Sequence, residues 1–133
     1  MPAPFGDYHL TAYTVDTDRA EIRMRAERGS PGEPRVTEIH FTGLEAYHFE
    51  HHSGTILGWI TEQALEPFLR AQAAVFAEGW RRSGWPSFWR GTVEEALGYL
   101  KGESVRAYEI ESSVGMRGWV LARGFETRAL EGE

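Results

Sequence analysis

The clearest pattern along the chain is an alternation of apolar and charged residues near its N-terminus. Apolar residues occupy every second position from 20 to 26, and charged residues fill the positions between them. This period of two is typical of a β-strand with one buried face. A weaker alternation covers residues 8–13, and Asp16-Thr17-Asp18 between the two segments favours a turn. The pattern predicts an opening antiparallel hairpin.

The next part of the chain is rich in residues that favour strands. Residues 30–34 contain two prolines and a glycine, which predicts a loop. Residues 36–42 and 44–49 are β-rich and are separated by Gly43, which could be a bend, a bulge or a turn. Residues 55–61 predict one more short strand.

From about Leu65 the apolar period changes from two to three or four, which predicts an amphipathic helix. The residues that form this stripe are Phe68, Leu69, Gln72, Val75, Phe76 and Trp80. Gly84 and Pro86 end the helix, because neither residue favours its continuation.

A second, shorter helix is predicted by its capping residues. Thr92 and Glu95 have the spacing of a capping box, and Gly102 marks the end of the helix. The remainder is typical of a hairpin, with strands at residues 105–111 and 116–127 on either side of a turn.

The order of these elements predicts an α+β fold. We expect a mainly antiparallel sheet of about six strands, in the order strands, helix, helix, hairpin, packed against two helices. The 133 residues suit a single domain, residues 1–133, with an ordered core of about residues 7–129. No internal repeat or long linker divides the chain.

Composition and charge exclude several classes of function. The chain has no cysteine, so disulfides, thiolate metal sites and cysteine nucleophiles are excluded. Its net charge of -6 argues against nucleic-acid binding, which depends on neutralising phosphates. No secretory signal or membrane-spanning apolar run is present in the sequence, so we expect a cytoplasmic protein without membrane contact.

The most suggestive chemistry lies in the segment that contains His48, Glu50 and His52. On a continuous strand these three side chains share one face, so two imidazoles and a carboxylate could bind one metal ion. The alternative is that they form a polar strand end and loop. The cluster is too short to define a metal signature, so no cofactor is assigned.

Aromatic and basic residues are concentrated between the two predicted helices. This segment contains Trp80, Trp85, Phe88 and Trp89 together with Arg81, Arg82 and Arg90. Such a patch could contact a protein partner, stack on a ring-shaped ligand or stack on bases. The alternative is that the rings complete the core while the arginines are solvated.

Pairs of acidic residues give weaker indications. Asp16 and Asp18 resemble the start of a calcium loop, but the later glycine and glutamate of that motif are missing. Glu109 and Glu111 could form an acid pair in a cleft, or lie on a solvated strand face. The common nucleotide-binding and hydrolase motifs are absent, so no catalytic residue is assigned.

Three blocks of sequence resemble a family of uncharacterised bacterial single-domain proteins. They are FTGLEAYHFE with GTIL at residues 41–50 and 54–57, GWP at residues 84–86, and YEIESSVGMRGWVLA at residues 108–122. In their series of strands followed by a helix, these proteins are similar to the immunity proteins that accompany bacterial toxins. The resemblance implies a toxin-like protein partner and transfers no functional residue.

These observations lead to one principal hypothesis and two alternatives. The first is a non-enzymatic protein-binding module of the immunity type that presents an acidic or aromatic surface. The second is a small enzyme or ligand-binding protein that uses His48, Glu50 and His52, which a pocket lined by those side chains would favour. The third is single-stranded nucleic-acid binding through Trp85 and Trp89.

Overall fold

The structure of the protein is a computed structural model. It describes the backbone of residues 3–28 and 35–130, and the side chains of residues 8–27, 36–50, 60–111 and 116–130. The predicted loop at residues 30–34 lies outside these ranges. The elements in chain order are β1 (Ala3–Asp16), β2 (Glu21–Arg28), β3 (Arg35–Gln63), α1 (Leu65–Ser83), α2 (Val93–Gly102) and β4 (Arg106–Leu130).

The opening hairpin is confirmed. Strands β1 and β2 pair in antiparallel fashion from His9 opposite Glu27 to Asp16 opposite Glu21. In the turn, the Asp16 carboxylate accepts a hydrogen bond from the backbone N–H of Arg19 at 3.0 Å. This local bond is the turn chemistry that the sequence predicts.

The sheet curls back on itself, as the two pairing partners of His9 show. On β1, His9 is paired with Glu27 of β2 and also with Ile56 of β3. Strand β2 in turn pairs with the first part of β3, where Glu21 lies opposite Thr42. Both edges of β1 are therefore occupied near His9, and β3 reaches the two sides of the hairpin with its two halves.

The two long strands β3 and β4 form one antiparallel ladder, from Val36 opposite Leu130 to Gln63 opposite Ala107. The main break in its register lies between His51 and Trp59 of β3 and divides each long strand into two segments, while a smaller shift between Leu44 and Ala46 is a bulge within the first segment of β3. Counted by these segments, the sheet has six antiparallel strands, and the predicted α+β class is confirmed.

Two details of the strands differ from simple expectation. The segments predicted between residues 36 and 61 are parts of the single strand β3, with a bulge after Gly43, whose φ of 61° is in the left-handed region. Both strands of the predicted C-terminal hairpin lie in β4, and residues 112–115 between them are extended rather than a turn. Ser112 pairs with Leu57 of β3.

Strand β4 separates two hydrophobic cores, because successive side chains of a strand point to opposite faces. Val120 and Ala122 belong to a core made of strand residues, here called the strand core. Trp119 and Leu121 belong to a second core between the sheet and the helices, here called the helix core. The helix core also contains Phe68, Leu69, Phe76, Phe88, Trp89, Val93, Ala96 and Leu100.

The helix ends follow the sequence signals. Gly84 adopts a left-handed conformation with φ 73° at the end of α1, and its N–H donates to the carbonyl of Trp80 at 2.9 Å. The Thr92 hydroxyl accepts a hydrogen bond from the N–H of Glu95 at 3.1 Å, which confirms the predicted start of α2. Within the described ranges, neither helix has the length and apolar character needed to cross a membrane.

Candidate ligand-binding cleft

A cleft of about 660 Å³ opens between the helix-facing side of the sheet and helix α1. Its floor includes side chains from two strands, namely His48 and Glu50 of β3 and Glu109, Glu111, Arg117 and Trp119 of β4. Its wall includes Gln72 and Val75 of α1 and Trp85 of the loop that follows. The cleft therefore unites residues from three separate parts of the sequence.

Strand alternation explains why these side chains share one face. Ala46 and Leu121 are paired and lie in the helix core, covered by the helices. Two residues further along each strand, His48 is paired with Trp119, and then Glu50 with Arg117. The same face thus continues from the helix core into the open cleft as the helices cease to cover it.

Stacked rings shape the apolar side of the cleft. The ring centroids of Trp85 and Trp119 lie 6.3 Å apart with their planes inclined by only 21°, and His48 stacks with Trp119 at 6.2 Å. Phe76 contacts both Trp85 and Trp119 with an edge-to-face geometry. The buried Trp119 therefore links the floor to Trp85, which stays 39% exposed at the rim.

Only some of the charged side chains of the floor form ion pairs with one another. Glu50 lies 3.3 Å from Nε2 of His48 and 3.7 Å from Nη2 of Arg117. These groups are more than half exposed, so the pairs contribute at most about 1 kcal/mol each. The carboxylates of Glu109 and Glu111 have no hydrogen-bond or ion-pair partner among the side chains that the structure describes.

The structure brings together two of the three residues of the predicted metal site. His48 and Glu50 are in contact, whereas the side chain of His52 lies outside the described residues. Within the described ranges, no group of three or more histidine, aspartate or glutamate side chains is arranged to hold a metal ion. The site formed by His48, Glu50 and His52 stays a prediction.

The predicted aromatic patch is divided between interior and surface. Phe88 and Trp89 are buried in the helix core, where they act as the rings that complete it. Arg81 contacts Glu78 at the helix surface, and Arg82 is exposed. Of the four rings in the patch, Trp80 is exposed on α1 and only Trp85 lines the cleft, so nucleic-acid stacking by Trp85 together with Trp89 would require Trp89 to leave the core.

Sequence reasoning missed Gln72, Val75, Arg117 and Trp119 as members of the site. The alternation in β4 could have placed Arg117 and Trp119 on the face of Glu109 and Glu111. The contribution of α1 could not be derived, because it depends on how far the helix extends over the sheet.

A second groove of about 430 Å³ on β2, β3 and β4 is a weaker candidate. Its charges neutralise one another: Arg23 lies 3.1 Å from Glu38, and Arg128 lies 3.6 Å from the same carboxylate. His40 lies 3.1 Å from Glu21, and this hydrogen bond is the main cause of the lowered pKa of Glu21. Few of these groups are free to bind a ligand.

Comparisons with models of protein families, with curated proteins and with solved structures found no match to this chain.

Proposed function

We propose that the protein is a binding protein whose cleft takes up a small ligand. The observation that carries this proposal is the meeting of His48, Glu50 and Trp85 in one concave site. From the sequence, a deep pocket lined by His48, Glu50 and His52 would favour a small enzyme or ligand-binding protein, and the cleft is lined by the first two of these residues. The cleft volume also lies within the range of roughly 300–1,000 Å³ that is typical of ligand sites.

Recognition fits the cleft better than catalysis does. The side chains of His48 and Glu50 are 51% and 58% exposed, so water reaches both. Catalytic groups act most strongly in sites that exclude water and fix their orientation. By contrast, ligand-binding sites are typically preformed cavities that are lined by aromatic side chains and a few polar groups.

The proposal is tested by screening a library of small cationic, neutral and anionic compounds against the intact protein. Binding is followed by the indole N–H resonances of the tryptophans in nitrogen-15 labelled protein. We expect ligands to shift the Trp85 resonance, and Trp85→Ala to abolish or strongly weaken their binding.

Trp80 provides the matched control, because it is 41% exposed, close to the 39% of Trp85, and does not line the cleft. Trp80→Ala should therefore leave affinity unchanged. The proposal fails if no compound shifts the Trp85 resonance, or if the two tryptophan variants bind equally well.

A protein-binding module of the immunity type is the second candidate. Val75, Trp80 and Trp85 are large apolar side chains exposed on α1 and the loop after it, and tryptophan is enriched in interface hot spots. The net charge of -6 would attract a basic partner.

The two candidates differ in what Trp80 does. A protein partner would cover both indoles, so Trp80→Ala and Trp85→Ala would each weaken binding to a basic toxin encoded beside the gene. Unchanged affinity of that toxin for both variants would remove this candidate.

A further inference from the structure

We infer that the ligand of the cleft is a small organic cation, an ammonium or guanidinium group carried on an apolar body. This inference rests on the proposed function and specifies the chemistry of the same site. Three features support it: the charge balance of the floor, the apolar and aromatic side chains of the wall, and two carboxylates of the same cleft that have no partner among the described side chains.

The floor of the cleft carries an excess of negative charge. Glu50, Glu109 and Glu111 supply three carboxylates, whereas Arg117 is the one guanidinium among the described lining residues. The side chain of Arg117 is 81% exposed, and its Nη2 atom lies 3.7 Å from the carboxylate of Glu50. A cation entering the cleft would meet a net negative field, and an anion would be repelled.

Glu109 and Glu111 are the carboxylates best able to accept such a cation. They lie two residues apart on β4, so they point to the same face with their Cα atoms about 7 Å apart. Neither has a partner among the side chains that the structure describes. A cation between them would relieve the repulsion between two like charges.

The wall of the same cleft carries an apolar and an aromatic side chain in addition to Gln72. Val75 and Trp85 are exposed there, and Trp85 is held by its stacking on Trp119. A tryptophan ring is the strongest aromatic partner for a cation, and an apolar wall supports an alkyl or aryl body. The combination distinguishes an organic cation from an inorganic metal ion, for which three clustered ligands are not found within the described ranges.

The test compares three probes of similar shape and different charge: phenethylammonium, phenethyl alcohol and hydrocinnamate. Affinities are measured by titration of the full chain, with the Trp85 indole resonance as the readout. We expect phenethylammonium to bind about tenfold more tightly than the neutral alcohol, with hydrocinnamate weakest of the three. Added salt should weaken only the cationic probe appreciably.

Variants then test whether the tighter binding of phenethylammonium depends on the carboxylates of Glu109 and Glu111. Glu109→Gln and Glu111→Gln should each reduce phenethylammonium affinity about fivefold and leave phenethyl alcohol unaffected. Asp18→Asn removes the same charge from the exposed β1–β2 turn and should change neither affinity. All three positions are at least partly exposed, so the folded state should persist.

Two results would overturn the inference while leaving the proposed function intact. One is tighter binding of the alcohol or of hydrocinnamate that still depends on Trp85. The other is equal loss of phenethylammonium affinity in Asp18→Asn and in the two glutamate variants. If neither the probes nor the library compounds bind, the proposed function itself fails.

Discussion

The guanidinium of Arg123 on β4 donates a hydrogen bond to the backbone carbonyl of Gly43, 2.9 Å away, at the bulge of β3. The same group contacts the carboxylates of Glu45 at 3.1 Å and Glu103 at 3.0 Å. Glu103 caps the C-terminal end of α2. Arg123 therefore joins the bulge, the sheet and the helix layer, and it supports the packing beside which the cleft opens.

We predict that Arg123→Ala lowers the free energy of unfolding by about 2–3 kcal/mol, because it leaves the largely buried carboxylate of Glu45 without its cation. Arg123→Lys should restore only part of this loss, since one ammonium cannot reproduce the forked geometry. The measurement is urea denaturation. Arg19→Ala is the control, with a weak exposed pair to Asp16 at 3.8 Å and an expected change below about 0.5 kcal/mol. Equal effects of the two alanine variants would refute this role.

Two glycines should respond to alanine in opposite directions. At Gly118 in the cleft floor, an added Cβ would clash with the backbone carbonyl of His48 across the β3–β4 ladder. We expect Gly118→Ala to destabilise the protein by about 2 kcal/mol or more and to reduce ligand binding. Gly98 lies within α2 with open space around it, so Gly98→Ala should stabilise by about 0.5–1 kcal/mol. Thermal unfolding of both variants checks this, and a stabilised Gly118→Ala would contradict the register at His48.

The cap of α2 offers a local test. Thr92→Ala removes the hydroxyl that accepts from the Glu95 N–H and should cost about 1 kcal/mol. Thr92→Ser keeps that acceptor, so its stability should stay within a few tenths of a kcal/mol of the parent chain. Chemical denaturation distinguishes the two substitutions. If alanine and serine have the same effect, the hydroxyl does not cap the helix.

Stability should decline in acid partly through Glu21. Its hydrogen bond to His40, followed by that to Arg23, holds the pKa of this carboxyl below its ordinary value of 4.5. A lowered folded-state pKa means that the stabilisation is present above the unfolded pKa and is lost as pH falls through the folded pKa.

Glu21→Gln should therefore flatten part of the decline in stability below about pH 4.5. Unfolding by urea across a series of acidic buffers provides the measurement. Parallel pH profiles for the variant and the parent chain would show that Glu21 makes no such contribution.

Local features of the fold were predictable because each depends on a few neighbouring residues. The Asp16 turn, the Gly84 helix end and the Thr92 cap all involve contacts within five residues along the chain. The pairing of β3 with β4 was not predictable in this way. It joins residues as far apart as Val36 and Leu130, and no local pattern identifies such partners.

Several residues of the site could be predicted from the sequence, but the sequence did not show that they lie together. The sequence identified five residues of the site, but in three separate groups. These are the predicted metal site with His48 and Glu50, the aromatic patch with Trp85, and the acid pair Glu109 and Glu111. Their meeting depends on the ladder and on the end of helix cover over the sheet. Phe88 and Trp89 show the reverse case, since the composition that suggests a binding surface equally suits a buried aromatic core.

The side chains of β4 alternate between two cores, and this alternation limits which insertions and deletions the protein can tolerate in this strand. From Trp119 to Ala122, successive side chains enter the helix core and the strand core in turn. Deleting one codon here would turn the residues on one side of the deletion to the opposite face, so that side chains of the helix core would point toward the strand core and the reverse. Substitutions of similar size should be tolerated along this stretch, whereas single-codon insertions and deletions should be eliminated by selection.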